Sequence, residues 1–81
     1  MSNKILLNIG FGNSVIISKI VSIVQPNSAP VKRYIKKKES EGLLIDATMG
    51  KKVRAVLSLT DGITILSGIS VQALNARLEN E

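Results

Sequence analysis

Apolar residues in this chain come in short runs, each cut off by glycine, proline or asparagine. That punctuation limits the fold to short strands and brief helices. Ile5–Ile9 suits a buried strand, and Gly10–Phe11–Gly12–Asn13 after it is a turn signal with residues that tolerate positive φ. Val15–Ile17 and Ile20–Val24 are β-branched runs split by Ser18–Lys19, so strand segments with a kink or turn between them are predicted, ended by Pro26 and Asn27. Ser28–Ala29–Pro30 reads as a helix start. Ser28 can accept from the first free N–H groups, and proline is tolerated in the first turn. The predicted helix covers 29–41, with Val31, Tyr34 and Ile35 as its apolar stripe and Gly42 in the C-terminal cap position. Leu43–Asp46 follows as a strand, Thr48–Met49–Gly50 as a tight loop and Val53–Leu59 as the next strand. Asp61–Gly62 is a hairpin turn signal ahead of Ile63–Leu66, and Ser70 caps a short final helix with Val71, Leu74 and Leu78 on one face. The expected fold is α+β: a small antiparallel-rich sheet with one basic helix and a short C-terminal helix. Residues 1–81 read as one domain, with no internal repeat, low-complexity segment or linker.

A chain of 81 residues has a thin core, because a domain near this size buries only about 60% of its unfolded surface. Yet 44% of the residues are hydrophobic, nearly all aliphatic; Phe11 and Tyr34 are the aromatics, and there is no cysteine to staple the fold. Either the core is packed unusually well or some apolar surface is buried against other copies. The second reading is preferred, since small domains are often completed by oligomerisation.

The net charge of +5 is unevenly spread. Residues 1–58 carry ten bases and three acids, a net of +7, and residues 59–81 carry Arg77 against Asp61, Glu79 and Glu81, a net of −2. Such polarity suits one face to an anionic polymer. Histidine and cysteine are both absent, which removes the usual metal ligands and the commonest general base. Asp46 and Thr48 are too isolated for catalysis and read as a turn or ion-pair feature. No enzyme activity, metal, cofactor or small-molecule substrate is expected. Met1–Ser2–Asn3–Lys4 leads into a run broken by Asn8 and Gly10, not a signal peptide, and no apolar stretch approaches the roughly 20 residues of a membrane span. A cytoplasmic, nucleoid-associated protein is expected.

Three segments are candidate sites. Gly10–Phe11–Gly12–Asn13 lacks the third glycine and following helix of a dinucleotide loop. It reads as a structural turn built on Gly10 and Gly12, with Phe11 packed under it or against a neighbour. Lys32, Arg33, Lys36, Lys37 and Lys38 make either a phosphate-contacting helix or a solvated charged face. Gly50–Lys51–Lys52–Val53–Arg54 is more specific. Adjacent lysines at a tight loop and a strand-borne arginine place three cations at one edge, and Gly50 lets the loop approach a groove. The alternative is a plain charged tip, or Arg54 paired with Asp46.

Several blocks taken in order, Asn8–Asn13, Ser28–Arg33, Leu44–Thr48 and Lys51–Val56, resemble the RemA family of bacterial extracellular-matrix regulators along nearly the whole chain. The resemblance implies a DNA-binding transcription activator, acting on biofilm matrix genes in some Gram-positive bacteria. It implies a ring-like homo-oligomer whose subunits contact duplex DNA together. It also places functional basic residues at Lys19, Lys51 and Lys52, where the family's matrix regulators carry arginine, and a sensitive position at Pro30. Lysine keeps the charge and loses the planar bidentate fork, which weakens base readout more than backbone binding. The predicted interface is therefore Lys19, Lys51, Lys52, Arg54, Lys32 and Arg33. An RNA-binding ring and a protein–protein scaffold with a basic face are the alternatives; the scarcity of aromatics for base stacking weighs against RNA.

Overall fold

Each turn signal is used, and together they set the order of elements. The structure is a computed structural model and describes residues 5–79. The segment 1–4, read above as no signal peptide, lies outside the described residues, as do 80 and 81. β1 (Leu6–Gly10) and β2 (Asn13–Ile16) form an antiparallel hairpin, and a short 3₁₀ turn over Ile17–Lys19 carries the chain into β3 (Ile20–Val24). α1 (Ala29–Ser40), β4 (Leu44–Asp46), β5 (Ala55–Leu59), β6 (Thr64–Ser67) and α2 (Val71–Glu79) follow. This is a small α+β fold with two helices and antiparallel-rich sheets. No helix of the described residues is long and apolar enough to cross a membrane.

The helix boundaries follow from their caps. The Ser28 hydroxyl accepts from Val31 N–H at 3.3 Å, and Pro30 lies in the first turn of α1, where its missing N–H leaves no bond unmade. At the other end Gly42 donates to the Glu39 carbonyl and Leu43 to the Lys38 carbonyl, the paired bonds of a Schellman motif. Ser70 caps α2 by accepting from Ala73 N–H at 3.1 Å.

One feature of the sheet departs from the expected single layer. The hairpin is a separate two-stranded sheet, and a four-stranded sheet runs in the order β3-β5-β6-β4. β3/β5 and β5/β6 are antiparallel, while β4 pairs in parallel with β6. The segment β3–α1–β4 is thus a crossover from one edge of the sheet to the other, and α1 has to pass over the central strands. Tyr34 marks the crossing. Its hydroxyl shares hydrogen bonds with Ser58 at 3.3 Å and Thr64 at 3.0 Å, on β5 and β6. The apolar stripe of α1 faces the sheet as predicted, but no residue of α1 is fully buried.

The main core lies on the opposite face. Leu57, Ala55 and Ile65 of the sheet meet Leu7, Ile9 and Val15 of the hairpin and Leu74 of α2. Leu7 and Ile9 are 1% and 2% exposed, and burying two such side chains contributes about 3–6 kcal/mol. A net hydrogen bond contributes about 1 kcal/mol, so burial holds the hairpin on and polar bonds set its position. Ser67 supplies one of these: its buried hydroxyl donates to the Ile9 carbonyl at 2.9 Å and accepts from Ile69 N–H at 3.1 Å. Arg77 of α2 supplies another, Nη1 donating to the Asn8 carbonyl at 2.8 Å.

Replacing Ser67 by Ala leaves the Ile9 carbonyl without its donor. The expected loss is about 1–3 kcal/mol in urea unfolding, with an unchanged dependence on urea concentration. An unaltered midpoint would mean that this bond does not place the hairpin.

Candidate nucleic-acid interface

The strand order decides where the cations meet. β4 and β5 lie on either side of β6, so the connector between them, residues 47–54, has to wrap around the end of β6. That end is Ser67–Gly68. The wrap is close: a Cβ on Gly68 would stand 3.7 Å from the Lys52 carbonyl oxygen and 3.8 Å from Lys51 Cβ, ordinary contact. For the same reason Arg54 is not strand-borne, as the sequence suggested. It stands one residue before β5, because the chain is still rounding β6, and its N–H already donates to the Ser67 carbonyl at 2.8 Å.

The start of the connector is a tight turn. Lys51 N–H bonds to the Thr48 carbonyl at 3.0 Å, and Met49 and Gly50 between them have φ of 54° and 82°. Glycine takes this conformation freely; methionine does so only under strain. Asp46 anchors the turn from below: its carboxylate accepts from Thr48 Oγ1 at 2.6 Å and from Thr48 N–H at 2.9 Å. The Thr48 hydroxyl and then its N–H hold the Asp46 carboxyl below its ordinary value, against the smaller opposing effect of burial. Asp46 is therefore engaged by Thr48. Among the described residues the ion pair present joins Lys38 to Glu41 at 3.5 Å, so Arg54 is not tied to Asp46.

β3, β4 and β6 all point the same way, and their carboxyl ends lie at one edge of the sheet. Segments leaving these strands meet there. Lys51, Lys52 and Arg54 line a cleft of about 520 Å³ with Ile9, Gly10, Phe11, Gly68 and Ile69. Lys52 and Arg54 share a smaller groove with Gln25, Pro26, Asn27 and Ser70. Lys52 shares a third with Lys32, at the start of α1. Lys51, Lys52, Arg54 and Lys32 therefore form one strip, each exposed and, among the described residues, none in an ion pair. Crevices outside the carboxyl ends of strands are the common binding place in sheets with crossover helices.

Two predicted contacts lie elsewhere. Lys19 ends the 3₁₀ turn, and its carbonyl accepts from Thr60 N–H at 2.9 Å, which puts it beyond the far end of β5. Five strand residues separate that end from Arg54, more than about 15 Å at about 3.3 Å per residue. Arg33 is exposed on α1 but lines none of these three clefts. Lys38 is turned inward over the Tyr34 ring, 5.5 Å from its centroid. Hydrogen bonding to Ser58 and then Thr64, with the Lys38 charge adding, lowers the Tyr34 phenol below its ordinary value despite burial.

Sequence reasoning missed Phe11. Of the two expected places, under its turn or against a neighbour, the first does not hold: Phe11 is 56% exposed in the chain and borders the cleft beside the lysines. Its place at the tip of the hairpin, between two glycines, was the available signal.

Residues 6–78 match the RemA-like family, described as extracellular matrix regulatory protein A-like. The chain belongs to that family. It is 49% identical over 74 residues to a protein of Dictyoglomus turgidum, a match covering 91% of this chain and 87% of the relative. It is 43% identical over 76 residues to a protein of Halothermothrix orenii, covering 94% and 90%. A Bacillus cytotoxicus relative is 44% identical over 75 residues, covering 93% and 86%. Each of these relatives is named as a regulatory protein. The matched span of this RemA-like chain contains all six predicted contact residues.

The anchor of the Thr48–Lys51 turn gives a pH prediction. A carboxyl held low when folded stabilises the fold above its unfolded value, near 3.8, and that contribution is lost as pH falls through the folded value. Asp46→Asn should therefore be less stable than the parent at neutral pH and approach it below that range. Urea midpoints across the acid limb measure this; parallel curves for the two proteins would exclude it.

Proposed function

We propose that this RemA-like protein is a DNA-binding transcriptional regulator and not an enzyme. Its subunits would contact duplex DNA through basic residues displayed on a homo-oligomer, in the cytoplasm and on the nucleoid. The observation that carries the reading is the strip Lys51, Lys52, Arg54 and Lys32, gathered at one edge with no acidic partner among the described residues. Lysines there act on phosphate as point charges, and Arg54 adds a planar fork. Clustered, exposed cations at one edge are suited to binding a polyanion. The family's description makes matrix genes the first promoters to examine.

A strip of this size binds weakly, and several on one DNA gain by multivalency. Exposed apolar residues support self-assembly. Leu6 and Ile16 pair across the outer face of the hairpin at 55% and 46% exposure, next to Ile5. Ile45 and Met49, at 49% and 70%, lie on the edge strand β4 and the turn after it. Two different patches on one chain suit a head-to-tail contact, which closes into a ring when the rotation allows. In such a ring Lys19 reaches DNA as part of a collective surface rather than beside Lys51 of its own subunit.

In gel-shift titrations the affinity for duplex DNA should fall with salt at a log–log slope of about −0.9 per phosphate neutralised. Lys51→Ala with Lys52→Ala should abolish binding and leave the assembled mass intact. A flat salt response, or full binding by the double variant, would sink the reading. For the assembly, Leu6→Asp or Ile45→Asp should reduce the mass seen by light scattering to that of a single chain; an unchanged mass for both would place the contact elsewhere.

A further inference from the structure

The hairpin tip holds a residue that its backbone disfavours. Phe11 and Gly12 are the two central residues between the paired Gly10 and Asn13, with φ of 54° and 78°. Positive φ at both positions is the pattern of a type I′ turn, which favours Asn, Asp or Gly at the first of them. Phenylalanine there is strained, and strain of this kind is kept where the side chain does something. Packing within the chain does not account for it, since Phe11 is 56% exposed.

The position of the tip is tightly determined. Gly10 N–H donates to Asn8 Oδ1 at 2.8 Å, and a Cβ on Gly10 would come within 3.3 Å of Ile69 Cδ1, so the strand lies hard against the loop after β6. Phe11 is thereby held at the border of the 520 Å³ cleft that Lys51, Lys52 and Arg54 also line. None of these cations stacks on it; the cation–π contact among the described residues is Lys38 with Tyr34. An aromatic platform beside clustered cations matches a ligand with a flat base at one end and phosphates at the other. Clefts of about 300–1,000 Å³ hold small ligands of that size.

We propose that this cleft binds a free nucleotide, its base stacked on Phe11 and its phosphates on Lys51, Lys52 and Arg54, and that the nucleotide competes with duplex DNA for those cations. The competition rests on the DNA-binding reading; the nucleotide site stands on the cleft alone. The edge of the sheet then serves as a regulated surface, vacated by DNA when the nucleotide is abundant.

The test uses the full chain with ATP, inorganic tripolyphosphate and adenosine in equilibrium dialysis. ATP should bind about tenfold more tightly than tripolyphosphate, the gain that stacking of one base gives. Phe11→Asn should bring ATP down to the tripolyphosphate value, and Phe11→Tyr should keep the gain. Because asparagine suits the turn, Phe11→Asn should unfold at a urea concentration no lower than the parent, which separates loss of stacking from loss of fold. With the parent protein, ATP should displace DNA at lower concentration than tripolyphosphate. Equal binding of ATP and tripolyphosphate by the parent overturns the site. So does an unaltered preference in Phe11→Asn, or a change in that variant's assembled mass with no change in its nucleotide affinity. If ATP binds as stated and duplex DNA does not bind at all, the DNA reading fails while the nucleotide site remains.

Discussion

A single buried hydroxyl joins the parts of this protein that sequence order keeps far apart. Ser67 ends β6, donates to the Ile9 carbonyl of the hairpin and accepts from the N–H of Ile69. The hairpin makes no backbone ladder with the four-stranded sheet, so its outward carbonyls need other donors. Ser67 and Arg77 supply them. The backbone carbonyl of Ser67 also receives the N–H of Arg54, where the basic connector arrives. Hairpin, connector and the loop after β6 thus converge on one residue. The burial of Leu7 and Ile9 supplies the energy, and Ser67 decides the position at which that energy is collected.

Topology then turns a spread of charge into a site. The first crossover puts α1 over one face and carries the chain from one edge strand to the other. The second connection rounds the end of β6 close to Gly68, and its cations are exposed. Neither Lys51 nor Lys52 pairs with Asp46, which Thr48 engages by two hydrogen bonds. Lys38, by contrast, is drawn onto Tyr34 and Glu41 and leaves the exposed set. Cations that look alike in the sequence therefore have different fates, decided by which neighbours the crossover brings to them.

The two turns beside this edge share a property. Phe11 and Met49 are the non-glycine residues with positive φ, and both are exposed apolar side chains placed before a glycine. A turn chosen for stability would carry Asn or Gly at these positions. Both positions therefore hold a strained, exposed apolar side chain, Phe11 at the border of the cationic cleft and Met49 two residues before Lys51.

Much of the local structure was legible in the sequence. Ser28, Pro30 and Gly42 bounded α1, Ser70 opened α2, and each strand lay within a residue or two of its apolar run, because caps and turns are made by neighbouring residues. The candidate site was legible in part. Lys51, Lys52 and Arg54 are nearly consecutive, so any fold brings them close. The sequence by itself determined the elements, their order and the family, since periodicity, capping and motif spacing are local or linear properties. Only the tertiary structure decided that the hairpin is a separate layer, that Lys32 joins Lys52 while Lys19 lies beyond the other end of β5, and that Phe11 borders a cleft rather than a core. Those outcomes depend on the strand order β3-β5-β6-β4, and strand order arises from burying one shared apolar face, an energy no single segment carries.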